Sequence, residues 1–290
     1  MPRPRREFSL AERTWRRTLR LIRRGTSSLR VLPDFLIVGA QKSGTSSLHA
    51  YLEEHSQLVA PPDRKELHFF DRHFGAGVGH YRSYFPTSLG RSLRATVKGG
   101  PVLCFETTPE YMVFAEARER IHALLGSIPL VLILRDPIDR AWSAYRMYST
   151  DNVDAEFEEL LDADASIAQH EGRELDPAAR ALTQEMEELR LFTRGLYVEQ
   201  LLALYELWPR DELLVLDFDD LKRDPRGTTA RVLERLGLSP LERDDWPVHN
   251  ASTGSELPTD LRARLASYYE GPNQELAELL GWTPGWMKSE

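Results

Sequence analysis

The sequence predicts an α/β fold: a central parallel sheet with helices on both faces and helical insertions. Three observations lead there. Short, continuous apolar runs alternate with helical stretches, the pattern of strands buried on both faces. A glycine-rich turn follows the first run and opens a helix. Charged residues stand where the runs end, and ligands on parallel sheets gather at the carboxyl ends of the strands.

The first run, Asp34-Phe35-Leu36-Ile37-Val38, ends at Gly39, and a helical pattern begins near Thr45. The second, Val102-Leu103-Cys104-Phe105, ends at Glu106 and is followed by a helix near residues 113–125. The third, Leu130 to Leu134, stops at Arg135-Asp136-Pro137. Pro137 suits the first position of a helix through about Tyr148, with Asp136 as its N-cap. The fourth, Leu213-Leu214-Val215-Leu216, precedes Asp217 and further helices. In residues 151–190 Asp and Glu outnumber Arg thirteen to three. That stretch reads as solvent-facing helices, either a cover over a cleft or a plain solvated face. Residues 258–281 read as closing helices, with Leu257, Leu261, Leu265, Tyr268, Leu276, Leu279 and Leu280 available for packing.

The 290 residues are 41% hydrophobic and 28% charged, as in a soluble globular protein. The pattern divides them into a basic arm over 1–30 and one domain over 31–290. The arm carries ten Arg against Glu7 and Glu12, whereas the whole chain has a net charge of −8. It has no apolar run long enough for a secretory signal or membrane anchor. Trp15, Leu19 and Ile22 recur at helical spacing among its arginines. The arm is therefore either a solvated basic segment or a weak contact to an anionic membrane surface. The single cysteine, Cys104, excludes an intramolecular disulfide and favours a reducing, cytoplasmic location, at most peripheral to the inner face of a membrane. The eight histidines form neither HxxxH nor HExxH, so no metal is expected. The acidic body offers no aromatic-interleaved basic surface for nucleic acid.

Gly39-Ala40-Gln41-Lys42-Ser43-Gly44-Thr45-Ser46 lies between strand and helix, where backbone N–H groups and the helix dipole form an anion site. This makes the sheet a P-loop-containing one. The nucleotide triphosphatase pattern GxxxxGK[ST] needs Lys directly after the second Gly. Thr45 occupies that place and the lysine sits inside the loop at position 42, which disfavours an ATPase or GTPase.

The segment Phe35 to Leu48 resembles the 5′-phosphosulfate loop of sulfotransferases that use 3′-phosphoadenosine 5′-phosphosulfate (PAPS). The resemblance implies that Gln41, Lys42, Ser43, Gly44, Thr45 and Ser46 hold the donor and that Lys42 stabilises charge during transfer. Leu134-Arg135-Asp136-Pro137 with Arg140-Ala141-Trp142-Ser143 is similar to the family's 3′-phosphate motif, which implies phosphate binding by Arg135 and Ser143. A forked guanidinium beside a helix N-terminus suits an anion independently, although Arg135 paired with Asp136 would also serve structure alone.

An acceptor that attacks sulfur must lose a proton, so a base is required. Lys65-Glu66-Leu67-His68-Phe69-Phe70-Asp71 offers two, Glu66 and His68. It resembles the KE-x-HFFD element of heparan sulfate glucosaminyl sulfotransferases, especially the 3-O type. That implies Glu66 as base, Lys65 near the donor sulfate, and His68 and Asp71 in support. The alcohol and phenol sulfotransferases use a histidine, so His68 stays open as the base. Phe105-Glu106-Thr107-Thr108-Pro109-Glu110-Tyr111 is similar to the E-K-[ST]-P-x-Y element, which implies Glu106 on the acceptor side. Thr107 replaces the lysine that meets an anionic sugar chain, so a heparan-like acceptor is disfavoured. Arg194-Gly195-Leu196-Tyr197 is similar to the RG-x-Y helix start, with Arg194 toward the acceptor and Tyr197 toward the nucleotide. His249 to Gly254 falls where the family closes a loop over the 3′-phosphate.

The expected function is transfer of a sulfuryl group from PAPS, without metal, to a hydroxyl or amine of a small-molecule, lipid or glycan acceptor. A P-loop small-molecule kinase and a catalytically silent nucleotide-binding scaffold remain the alternatives.

Overall fold

Five short segments pair side by side in a computed structural model, which describes residues 22–62, 64–149, 156–172, 190–249 and 256–288. They are β1 (Phe35–Gly39), β2 (Leu58–Val59), β3 (Leu103–Thr107), β4 (Leu130–Leu134) and β5 (Leu213–Asp217). Their order is β2-β3-β1-β4-β5 and every pairing is parallel. The four apolar runs are thus the four principal strands. The fifth strand, β2, is a two-residue edge, too short to leave a periodic signal in the sequence.

Around the sheet stand α1 (Thr45–Glu53), α2 (Val78–Arg82), α3 (Ser88–Lys98), α4 (Ala115–Leu125), α5 (Pro137–Tyr148), α6 (Phe157–Ala163), α7 (Ala165–His170), α8 (Tyr197–Tyr205), α9 (Phe218–Arg223), α10 (Pro225–Arg235) and α11 (Thr259–Leu280), together with short 3-10 turns. Side chains of β1 alternate between two cores. Phe35 and Ile37 pack with Leu48 and Leu52 of α1 and with Val232 and Leu233 of α10. Leu36 and Val38 join Ile121 of α4, Leu201 of α8 and Leu276 of α11 on the opposite face. Burying each such side chain stabilises by about 1.5–3 kcal/mol, which is why continuous apolar runs become central strands. Asp136 caps α5 as expected, its carboxylate accepting from the Ile138 N–H at 2.8 Å, with Pro137 in the first turn.

Two expectations are corrected. The part of the acidic stretch that is described, α6 and α7, is not merely solvent-facing. Phe157, Leu160, Leu161 and Ile167 are buried against Ile138 and Ala141 of α5 and Leu261, Leu265 and Tyr269 of α11. Glu158, Glu159 and Asp162 take the exposed face. Their i, i+3, i+4 apolar stripe was outweighed in the sequence by charge count. Residues 151–155 and 173–189 lie outside the described residues. The closing region is one 22-residue helix that continues through Pro272. Tyr268, Tyr269 and Leu276 are buried on either side of the proline, so both halves are anchored in the core despite the missing N–H.

The arm expected over residues 1–30 is described from Ile22 onward. Its end is tied to the body by the Arg30 guanidinium, which donates to the Phe85 carbonyl at 2.6 Å. None of the helices among the described residues is long and apolar enough to cross a membrane.

Candidate active site

The carboxyl ends of β1, β3 and β4 bring the phosphate loop, the Glu106 turn and Arg135 to one edge of the sheet. Gly39 ends β1 where any side chain would collide with Met112, whose sulfur lies 1.8 Å from the place of a Cβ. Gly44 sits at φ +84°, with the Phe218 ring 2.9 Å from where its Cβ would stand. The loop therefore turns sharply and delivers its amides to the start of α1, which has no side-chain cap. First-turn N–H groups without intrahelical partners, pointing along a helix dipole, favour an anion. Lys42 itself has φ 69°, a conformation that costs a non-glycine residue about 1–3 kcal/mol and clusters at functional sites. The Arg135 guanidinium donates to the Lys42 carbonyl at 3.1 Å and lies 4.9 Å from the Phe218 ring centroid, so the second motif braces the first.

Positive charge is crowded here. Burial, then Arg135, then Arg146 push the Lys42 ammonium below its usual range; Glu66 opposes them and Lys65 adds to them. Arg135 Nε is buried without a partner among the described residues. A cavity of about 430 Å³ at Arg135 is lined by Ser143, Arg146 and Arg262 and also by Asp139 and Glu256, with Arg262 already paired to Asp139. An orphaned buried guanidinium nitrogen, an uncapped helix start and cations that repel one another fit a donor carrying two phosphate-type groups. The residues present fit PAPS.

The loop residues do not all face that cavity. Thr45 is buried and Ser46 half-buried at the helix start. Ser43 is fully buried against Tyr197. Gln41 turns its amide away, donating to the Tyr148 hydroxyl at 3.0 Å and to Glu110 at 3.2 Å. Its carbonyl oxygen accepts from Arg194 at 2.9 Å. Tyr197 is 1% exposed and donates to the Arg135 carbonyl at 3.0 Å, so it supports the arginine from behind.

On the acceptor side, Glu66 and His68 are neighbours. Glu66 accepts from Lys65 at 3.0 Å and faces His68 Nε2 at 3.4 Å, while His68 Nδ1 meets Asp71 at 2.8 Å. Burial favours the neutral imidazole, but Asp71 and Glu66 outweigh it and raise His68 to about 9. Burial likewise pushes Glu66 up, and the stronger pull of His68 and Lys65 holds it at about 2. At neutral pH the imidazolium has no lone pair to offer. Glu66 is ionised beside it, so the two groups form a charged pair.

Glu106 requires a correction. It was expected to meet the acceptor, yet its exposure is 0%. Its carboxylate accepts from Thr108 at 2.7 Å, from Tyr111 at 2.8 Å and from the Tyr81 hydroxyl. Tyr111 in turn accepts the Phe69 N–H at 2.8 Å and Thr108 the His68 N–H at 3.5 Å. Glu106 thus anchors from within the core the turn in which His68 adopts φ 50°. Replacing it with Ala strands three buried hydroxyls, and urea unfolding of Glu106→Ala is expected to show a loss of about 3–5 kcal/mol. Glu106→Gln, which keeps an acceptor oxygen, loses less. Thr107, too, is buried, and is hydrogen-bonded to His49 at 2.9 Å.

The sequence reading missed Glu110, Arg72, Arg146 and Tyr148. Glu110 is bonded to Arg72 at 2.6 Å and Arg194 at 3.4 Å, which joins three segments at the acceptor side. Its signal was its position just past Pro109, where the chain leaves the carboxyl end of β3. Arg146 stands one turn after Ser143 on α5, on the same face. Of the stretch expected to close over the 3′-phosphate, His249 is described and donates its N–H to Ser47 Oγ at 2.9 Å. Residues 250–254 lie outside the described residues.

In sequence and fold the chain is similar to known sulfotransferases. Human heparan sulfate glucosamine 3-O-sulfotransferase 6 is 28% identical, over 89% of this chain and 74% of its own length. Human bifunctional heparan sulfate N-deacetylase/N-sulfotransferase 3 is 26% identical over 89% of this chain, which spans 31% of that protein. A crystal structure of a sulfotransferase from Alicyclobacillus acidocaldarius superposes with a TM-score of 0.60 at 26% identity, covering 87% of this chain and 97% of the other. The family description "Sulfotransferase domain" matches residues 32–248, and the chain belongs to that sulfotransferase family.

Proposed function

We propose that this protein transfers a sulfuryl group in line from PAPS to a hydroxyl or amine of a small-molecule, lipid or glycan acceptor. The observation that carries the reading is the junction of two charge environments. A crowd of cations around Lys42 meets an ionised Glu66 across Lys65. When bound, the donor supplies sulfur already activated on a phosphate leaving group. Lys42 and the first-turn amides of α1 hold positive charge where negative charge grows on the departing oxygen, an arrangement that needs no reorganisation during reaction. Arg135, with Ser143 and Arg146, holds the second phosphate. Glu66 accepts the acceptor's proton. Lys65 shares its charge between Glu66 and the donor end of the site, and as it turns toward the donor the carboxylate becomes a stronger base.

The acceptor side favours a neutral or cationic molecule. Lys65, Arg72 and Arg194 each already face a carboxylate, at 3.0, 2.6 and 3.4 Å. A surface that reads a polyanion presents uncompensated cations instead. Thr107 adds none.

Thermal unfolding with nucleotides tests the donor assignment. Adenosine 3′,5′-bisphosphate at about one hundred times its Kd is expected to raise Tm by about 4–8 °C, and ATP with Mg²⁺ is expected to do so far less. The reverse order would point to a kinase. Labelled-sulfate transfer across hydroxyl, amine and heparosan acceptors then identifies the acceptor. Heparosan turned over as fast as neutral acceptors would remove the charge argument.

A further inference from the structure

Helix α3 is amphipathic in the wrong direction for a helix that packs on its own protein. Leu89, Leu93 and Val97 recur every fourth residue and are 71%, 60% and 80% exposed. No residue of the helix is buried. It is nevertheless well formed, with Thr87 Oγ1 accepting from the Gly90 N–H at 3.1 Å and Gly99 closing it in a left-handed cap. The stripe continues onto the segment before β1. Ser88 donates to the Leu29 carbonyl at 3.2 Å, which sets Leu29, 62% exposed, beside the start of the helix. Ile22, seven residues earlier, is exposed as well.

Charge identifies what covers this face. Arg94 and Lys98 on the helix are exposed, as is Arg24 on the preceding segment, which donates to His80 Nδ1 at 2.9 Å. The chain entering at Ile22 carries seven more arginines. The molecule as a whole has a net charge of −8, so this patch is a local reversal. A second copy of the chain would set Arg94 and Lys98 against their own equivalents across a twofold interface. Apolar side chains flanked by basic ones match an anionic lipid surface, where both parts find partners.

We propose that this face seats the protein on an anionic membrane, with Leu29, Leu89, Leu93 and Val97 entering the interfacial layer. Arg24, Arg94 and Lys98 lie on the lipid phosphates. None of these residues belongs to the active site, so the proposal stands apart from the proposed reaction.

Co-sedimentation of the full chain with phosphatidylcholine vesicles, with and without phosphatidylglycerol, tests it. Binding is expected to require phosphatidylglycerol and to weaken as salt is raised. L89S/L93S/V97S and, separately, R94E/K98E are each expected to weaken binding about tenfold or more, with melting temperature and turnover unchanged. Absence of lipid-dependent binding would overturn the proposal. So would binding undiminished in both variants, which would assign it to the arm alone. A wild-type dimer that becomes monomeric in L89S/L93S/V97S would overturn it in favour of self-association.

Discussion

Lys42→Ala is expected to lower kcat by about 10²–10³-fold while leaving the folded protein as stable as before, or slightly more so. The two effects have different origins. The Lys42 ammonium has a weak partner in the unliganded fold, the Met147 sulfur at 3.8 Å. Burial, Arg135 and Arg146 all disfavour its charge, so removing it relieves repulsion. Ala and Lys tolerate the φ of 69° about equally, so backbone strain does not change. In the proposed reaction the same ammonium meets charge that develops on the departing oxygen, and loss of one such preorganised donor costs about 2.7–4 kcal/mol of barrier. Single-turnover transfer measured beside thermal unfolding separates the two. A variant equally impaired in both would mean that Lys42 is structural. Lys42→Arg, which keeps charge but changes reach, should recover part of the rate.

What was legible in the sequence follows from how local each signal is. The strands were visible because β1 and β4 are buried on both faces and so carry uninterrupted apolar residues. Lys42, Arg135 and Ser143 were visible because each stands at a fixed offset from a strand end, and strand ends fix where ligands bind. The acceptor network was not visible. Glu110 reaches Arg72 across 38 residues, Gln41 across 69 and Arg194 across 84. No local pattern says which carboxylate will meet which cation over such separations. Glu106 and Glu110 illustrate the limit within a single motif. They are four residues apart, yet β3 points the first into the core, while the turn after Pro109 brings the second to the site. Amphipathicity was equally ambiguous. The stripe of α6 and α7 faces inward and that of α3 outward, and spacing alone does not distinguish them.

Glu66→Gln is expected to lower kcat by about 10²–10⁴-fold, the usual contribution of a positioned general base, with donor binding retained. The amide keeps the size of the side chain and its contact with Lys65, but it takes no proton. A second, independent readout comes from His68, which is raised to about 9 by Asp71 and Glu66. In the unfolded chain it titrates near 6.5. Between these values the folded protein holds a proton that the unfolded chain has lost. The stabilisation is therefore complete below about pH 6.5 and falls away as pH rises through 9, by at most about 3 kcal/mol. Glu66→Gln removes one of the two anions responsible, so the His68 pKa, followed by NMR, must fall below 9 and the loss of stability must move to lower pH. A variant that loses turnover without moving His68 would show that Glu66 does not hold the imidazolium. One that moves His68 but keeps its rate would exclude Glu66 as the base.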